Sequence, residues 1–344
     1  MRAVQFSAYG TAPQLIETDT PRCPSDGVVV EVRATGLCRS DWHAWMGHET
    51  VPLPHIPGHE FAGVISAVGA DVRAWSVGDR VTAPFVLGCG VCQYCLSGDA
   101  QVCPDQRQPG FTGPGAFAEL VAVERADANL VALPDALDFV AAASLGCRFA
   151  TAFRALTVHG NVAAGQWVAV HGCGGVGLSA VMIAVTLGAQ VVAVDASPDA
   201  LSRAASLGAC RLIGTGTDTD TAAAVIAATG GGAHVSVDAI GDARTAAASV
   251  RSLRRRGRHV QVGLLHGDDA TTALPMDRVI AFELQVHGSH GMAAHEYPAM
   301  LGLVVSGALR PDRLVGSVIG LDGAGAALTA MDRNTGGGMT VITP

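Results

Sequence analysis

Positive charge is scarce in this chain: 22 Lys and Arg stand against 30 Asp and Glu, for a formal net charge of −8. A general nucleic-acid binder would carry the opposite excess, so that class is set aside. The one dense basic run, residues 251–258 (RSLRRRGR), reads instead as a solvated helix end. The opening MRAVQFSAYG has no long apolar segment of the kind a secretory signal needs, which leads to the expectation of a cytoplasmic protein. No membrane crossing is needed either. Residues 172–194 carry no charge, but Gly172, Gly174, Gly175, Gly177 and Gly188 break that span into loop, helix, turn and strand. Charged residues are only 15% of the chain while 49% are hydrophobic, and the mean hydropathy of +0.35 suits packed domains rather than a disordered polar chain.

What is present is about two domains' worth of sequence, 344 residues. The first third reads as short strands (residues 28–32, 59–68 and 116–123) separated by Gly and Pro, a compact, mostly β domain with long loops. From about residue 166 the rhythm changes. A strand (167–171) leads into a helix (176–187) closed by Gly188, a second strand (190–194), and a helix begun by Ser197-Pro198-Asp199 and stopped at Gly208. Further helices (221–229 and 243–255) alternate with strands (234–239 and 258–262). Such alternation predicts an α/β domain with a doubly wound parallel sheet. It weakens after about residue 289, so the tail is expected to return to the first domain.

The glycine loop Gly172-Cys173-Gly174-Gly175-Val176-Gly177 follows a predicted strand and opens a predicted helix, the context in which G-x-G-x-x-G binds a dinucleotide pyrophosphate. The next strand ends in Asp195, 18 residues after Gly177. A carboxylate there accepts hydrogen bonds from the adenosine ribose and repels a 2′-phosphate, which predicts NAD rather than NADP.

Nine cysteines without a secretory signal point to metal or catalysis before disulfides. Cys89, Cys92, Cys95 and Cys103 cluster; four thiolates around zinc form a closed, structural site, with an iron–sulfur cluster or a disulfide knot as the alternatives. A second set is dispersed. Residues 36–43 (GLCRSDWH) offer a thiolate at Cys38, a phosphate-holding guanidinium at Arg39, and proton-carrying groups at Ser40 and His43. Adding His59 and Cys147 to Cys38 gives two thiolates, one imidazole and an open position, the composition of a catalytic zinc.

GLCRSD, GHEFAGVI, the four-cysteine lobe, LGCRFATA and HGCGGVG occur in the order found in zinc-dependent medium-chain alcohol dehydrogenases, and the chain resembles that family over almost its whole length. The resemblance implies a GroES-like catalytic domain (residues 1–147 and 290–344, zinc lobe about 88–104), a Rossmann domain (148–289), and an active site in the cleft between them. It also implies roles. Cys38, His59 and Cys147 match the catalytic zinc ligands, Ser40 the hydroxyl that takes the alcohol proton, and His43 the imidazole that relays it outward. Asp41 resembles the acid that orients the zinc-bound imidazole. Glu60 resembles the carboxylate behind the metal, and Arg39 a contact to the cofactor pyrophosphate. Where some relatives place an Arg before the C-terminal apolar tail, this chain reads Gly336-Gly337-Gly338-Met339, which leaves the pyrophosphate to Arg39 and the helix amides.

The expectation is therefore reversible hydride transfer between NAD and a primary or secondary alcohol, with one catalytic and one structural zinc per chain. Trp42, Trp45 and Phe85 could wall an apolar substrate pocket. A polyol dehydrogenase is disfavoured because that group resembles a version with Glu in place of Cys147. A zinc-containing dinucleotide-binding protein without dehydrogenase activity is the alternative of another class. The partners expected are a small-molecule alcohol, aldehyde or ketone and, as relatives are dimers or tetramers, further copies of the chain, with a tetramer favoured.

Overall fold

A computed structural model describes residues 1–216, 220–332 and 338–344. The chain divides into two units, Met1–Ala150 with Gly291–Pro344, and Thr151–His290.

The first unit opens with an antiparallel pair, β1 (Arg2–Gln5) and β2 (Gln14–Glu17). Its centre is β3 (Val28–Leu37), whose Val-rich first half suits a strand buried on both faces. It is followed by α1 (Arg39–Met46), β4 (Glu60–Val68), β5 (Arg80–Thr82), β6 (Leu120–Val123) and β7 (Val131–Ala132). β4 lies antiparallel along the whole of β3. The opposite edge of β3 is shared: β6 pairs with residues 28–31, and a strand from the far end of the sequence pairs with residues 35–37. One face carries Val28, Val30, Phe61, Ile65, Val81 and Leu87, and a second cluster gathers Phe6, Leu37, Trp45 and Phe117.

Among its described residues the second unit holds six strands, all parallel: β8 (Trp167–His171), β9 (Gln190–Asp195), β10 (Arg211–Gly214), β11 (Ala233–Asp238), β12 (Leu253–Gln261) and β13 (Gln285–Gly288). Their order is β10-β9-β8-β11-β12-β13, a doubly wound sheet whose direction of winding switches beside β8. The crossover helices start on side-chain caps: Ser197 on α3 (Pro198–Ser206), Asp220 on α4 (Thr221–Thr229) and Asp242 on α5 (Ala243–Arg251) each accept a hydrogen bond from the first-turn backbone. No such cap starts α2 (Gly175–Thr186), whose N-cap Gly174 has no side chain to offer, or the helix Met276–Phe282, which follows Pro275. Beneath the sheet, burial pushes the imidazoles of His171 and His259 down to about 3 and about 4, so both stay neutral.

The basic run is not a helix end. α5 stops at Arg251, and Arg254, Arg255 and Arg256 lie on β12. Arg256 adopts a left-handed backbone (φ 61), and the β11 pairing shifts register there, so consecutive guanidiniums splay outward without leaving the strand. Arg256 pairs with Glu283 at 2.8 Å and Arg255 lies over the Phe282 ring.

The first unit is completed by β14 (Val315–Gly320) and β15 (Met339–Thr343), giving the sheet order β14-β15-β3-β4-β5-β7, with β6 also on β3. The tail thus joins the first unit's sheet. Met339 is buried at the start of β15, while Gly336 and Gly337 lie outside the described residues. Among the described residues, no helix is long and apolar enough to cross a membrane.

Candidate active site

The site is built where β3 ends. Leu37 is still in the sheet, Cys38 is extended (φ −116, ψ 156), and α1 starts at Arg39, so the Cys38 thiol emerges at a strand-to-helix corner. Asp41, one turn into α1 and fully buried, fixes that corner. Its Oδ2 accepts the Cys38 N–H at 2.9 Å, while Oδ1 accepts the Gly58 N–H at 3.1 Å and bonds His59 Nδ1 at 2.9 Å. One carboxylate therefore positions two residues whose codons lie far apart, and it leaves His59 Nε2 as the imidazole atom available for another partner.

Cys147 arrives on the turn Leu145–Phe149, a single π-helical turn of the sort that recurs at functional sites. The buried Tyr297 hydroxyl donates to the Gly146 carbonyl at 3.0 Å. Glu60 Oε1 accepts the Cys147 and Arg148 N–H groups, each at 3.1 Å, and the carboxylate forms a buried ion pair with the Arg148 guanidinium. Cys38, His59, Glu60 and Cys147 thus present their ligand atoms within 4.8 Å of one another.

The electrostatics suit a cation. The hydrogen bond between Cys38 and Cys147 lowers the pKa of the first thiol well below its ordinary value and raises that of the second, so the pair shares a proton. Burial opposes charge on His59, yet the Asp41 carboxylate outweighs it and holds the imidazole pKa well above its usual value. Burial raises the Glu60 pKa, with Arg148 pulling the other way. Buried His59 Nε2 has no hydrogen-bond partner, a loss that costs roughly 1–3 kcal/mol unless something binds there. Two sulfurs and an orphaned nitrogen fit a zinc ion, which would displace the shared protons on binding.

The four-cysteine lobe fits a second one. Cys89 and Cys95 Sγ are 3.9 Å apart, and Cys92 and Cys103 Sγ 3.8 Å. Sulfurs at about 2.3 Å from a common tetrahedral centre stand about 3.8 Å apart, whereas a disulfide needs about 2.05 Å. All nine cysteines are free thiols. Backbone N–H groups point at the sulfurs, as from Cys92 to Cys89 at 3.3 Å, and the backbone at Val91 is the main cause that lowers Cys89 to about 6. The lobe has little core of its own, since Val91 and Leu96 are 78% and 75% exposed. Cys92→Ser should therefore remove about one zinc per chain and lower the melting temperature by roughly 5–10 °C, the effect of about 2–3 kcal/mol in a domain this large. Metal analysis with a thermal scan measures both; an unchanged melting temperature after zinc loss would show the lobe holds itself.

In the second unit, Gly172 (φ 92) turns the chain out of β8, and a Cβ on Gly177 would lie 1.7 Å from the Gly172 carbonyl oxygen, so that position must be glycine for helix and strand to pack. Gly174 is different. A Cβ there would meet nothing within 4 Å and its φ of −79 suits any residue, so no protein atom explains the missing side chain; an approaching pyrophosphate does. Val176 belongs to the first turn of α2. Asp195 accepts the Cys173 N–H at 2.6 Å and the Ser197 N–H at 2.8 Å, which clamps its carboxylate at the end of β9 beside the loop. These residues fit a dinucleotide.

Residues 24–135 match the family described as alcohol dehydrogenase GroES-like domain, and residues 175–306 the family described as zinc-binding dehydrogenase. An alcohol dehydrogenase of Geobacillus stearothermophilus is 40% identical over 213 residues, covering 61% of this chain and 62% of that one. The matched stretch thus spans about three fifths of the length of such curated relatives. Alcohol dehydrogenase TADH from Thermus sp. ATN1 is 30% identical with a TM-score of 0.92, covering 100% of this chain and 99% of that one. The chain belongs to the zinc-dependent medium-chain alcohol dehydrogenases. A cobalt- and zinc-bound thermostable alcohol dehydrogenase from Pyrobaculum aerophilum has a TM-score of 0.87 at 29% identity, covering 100% and 99%.

Against this medium-chain alcohol dehydrogenase framework, the remaining predicted residues fall as follows. Ser40 Oγ stands 3.9 Å from Cys38 Sγ. His43 is half-buried on α1, and Arg39 is exposed with its guanidinium 5.0 Å from the Trp42 ring centroid. Phe85 lies 6.1 Å from the His59 ring. Trp45 is core, its indole donating to the Thr11 carbonyl, and so forms no pocket wall. Phe111, in the same core cluster as Trp45, lies 5.1 Å from the His59 ring, and nothing in its sequence neighbourhood signalled it. Arg148 was also missed as a functional residue, although it stands within LGCRFATA; its partner Glu60 is 88 positions away.

Proposed function

We propose that the protein is an NAD-dependent alcohol dehydrogenase that interconverts a hydrophobic primary or secondary alcohol with its aldehyde or ketone. The observation that carries this reading is the orphaned His59 Nε2 beside the buried Cys38 thiol and the half-buried Cys147 thiol, with a proton-accepting hydroxyl, Ser40, within 4 Å of Cys38. Bound zinc supplies Lewis acidity at the alcohol oxygen, and bound NAD accepts the hydride.

The chain's own residues do the rest. Cys38, His59 and Cys147 hold the catalytic metal, and Cys89, Cys92, Cys95 and Cys103 the structural one. Asp41 keeps the His59 proton on Nδ1, so that Nε2 presents its lone pair. Ser40 Oγ takes the alcohol proton and His43 carries it onward. Glu60, tied to Arg148 and to the Cys147 amide, holds the Cys147 turn in place behind the metal. Phe85 and Phe111 beside His59 favour an apolar substrate and keep water from the imidazole. Gly172, Gly174, Gly175, Val176 and Gly177 receive the pyrophosphate, Arg39 offers it a counter-charge, and the Asp195 carboxylate selects NAD by repelling a 2′-phosphate. Two zinc ions per chain, a cytoplasmic location and a homotetramer complete the reading.

NADH formation across a panel of alcohols tests it, alongside zinc counts and NAD and NADP affinities. Ser40→Ala should depress turnover by about 10²-fold, the lower end for a lost proton-transfer group, with zinc content and NAD binding nearly intact. Tighter binding of NADP than NAD would overturn the cofactor assignment. One zinc per chain with no activity on any alcohol would favour a dinucleotide-binding protein instead.

A further inference from the structure

We propose that His48 is the outer half of a two-imidazole proton wire whose inner half is His43. The inference rests on the dehydrogenase reading and adds the group through which the proton leaves. α1 ends at Gly47, which takes a left-handed backbone (φ 79) and donates to the His43 and Ala44 carbonyls. The His48 N–H donates to the His43 carbonyl at 2.9 Å, so the chain folds back over the last turn of the helix. That brings His43 Nδ1 and His48 Nδ1 to 2.9 Å. Two ring nitrogens at this distance hold one proton between them, because both cannot donate and both cannot accept.

The surroundings hold the pair in place. The Trp42 edge packs on both rings, with centroids 5.1 Å from His43 and 5.5 Å from His48. The charged groups nearby are Arg39, held over Trp42, and Glu49, the next residue along the chain; Asp41 on the same helix is turned to His59 and the Cys38 amide. His43 is half-buried and His48 exposed, so the pair runs from inside to water.

The step balances as one proton in and one out, with no change of electrons. A proton taken up at His43 Nε2 makes an imidazolium; the N–H bond at His43 Nδ1 breaks as one forms at His48 Nδ1; His48 Nε2 then releases its proton to water. Run backwards, the same steps carry one proton inward for carbonyl reduction and return both rings to their starting tautomers. Gln or Asn at position 48 cannot accept a proton and pass another on in this way.

The zinc- and NAD-loaded chain and its His48→Gln and His48→Ala variants test the wire by two readouts. In ¹⁵N NMR of the histidine rings, the His43 Nδ1 signal and its titration should move in both variants. In alcohol oxidation, kcat/KM near neutral pH should fall about tenfold, less than for a group acting on the substrate itself, and approach the parent value at high pH, where hydroxide takes the proton. Added imidazole should restore His48→Ala. An unmoved His43 signal, or a loss that is equal at every pH and untouched by imidazole, would overturn the wire and leave the dehydrogenase reading standing. A parent that oxidises no alcohol would remove the dehydrogenase reading, and the wire with it, even with the two rings coupled.

Discussion

Cys38→Ser is expected to reduce alcohol oxidation by more than about 10³-fold without unfolding the chain. The Lewis acid is worth several kcal/mol to an alcohol oxygen, at about 1.4 kcal/mol per factor of ten. A serine hydroxyl at this corner is a far poorer zinc ligand than a thiolate, and the remaining His59 and Cys147 form an incomplete set. The fold should survive because Asp41 holds the Cys38 backbone N–H, not its sulfur, and still holds His59. Metal analysis should find one zinc fewer per chain, circular dichroism should be unchanged, and NAD should still bind, since its glycine loop lies in the other unit. A variant that retains both zinc ions and turns over normally would remove Cys38 from the metal set.

Removing Arg148 should have the largest effect on stability. Glu60 is completely buried, and its carboxylate is satisfied by the Arg148 guanidinium and by the amides of Cys147 and Arg148. Arg148→Ala would strand that charge, at a cost of about 3–5 kcal/mol. The same substitution frees the Leu145–Phe149 turn, so zinc affinity at Cys147 should fall as well. Arg148→Met combined with Glu60→Gln, which removes both charges and keeps the volume, should recover most of the stability but not the catalytic rate. Urea unfolding of the single and double variants measures the coupling. Additive losses would mean that the pair stabilises nothing beyond its separate parts.

Those two residues also mark what could be read from the sequence. The four-cysteine lobe and the glycine loop are legible because their chemistry is local: ligands within fifteen residues, or glycines whose spacing is set by one turn and one helix start. The parallel sheet is legible for a similar reason, as each strand and helix carries its own period and cap. The buried pairing of Glu60 with Arg148 is not, since no pattern of spacing links positions so far apart and an arginine in an apolar stretch resembles any other. Phe111 escaped for the same reason. Trp45 and Phe85 show the limit of composition, because an aromatic ring near a reactive motif reads alike whether it lines a pocket or fills a core. The arginines of β12 misled because a left-handed residue within a strand is invisible to a search for periodicity, which fits a basic run to a helix end.

The position of β15 bears on how the chain is made. It lies between β14 and β3, pairing antiparallel with residues 35–37, immediately before Cys38. Residues 151–290 carry every strand of their own sheet, so this unit can fold as soon as it leaves the ribosome, whereas the first unit waits with one edge of β3 open until Met339–Thr343 has been synthesised. During that interval the corner bearing Cys38 is unbraced on one side, and Tyr297, which holds the Cys147 turn, has only lately emerged. A metal at Cys38, His59 and Cys147 is therefore expected to bind only after the tail has been made. The cysteine lobe, contiguous in the chain, brings its four sulfurs together as soon as it emerges.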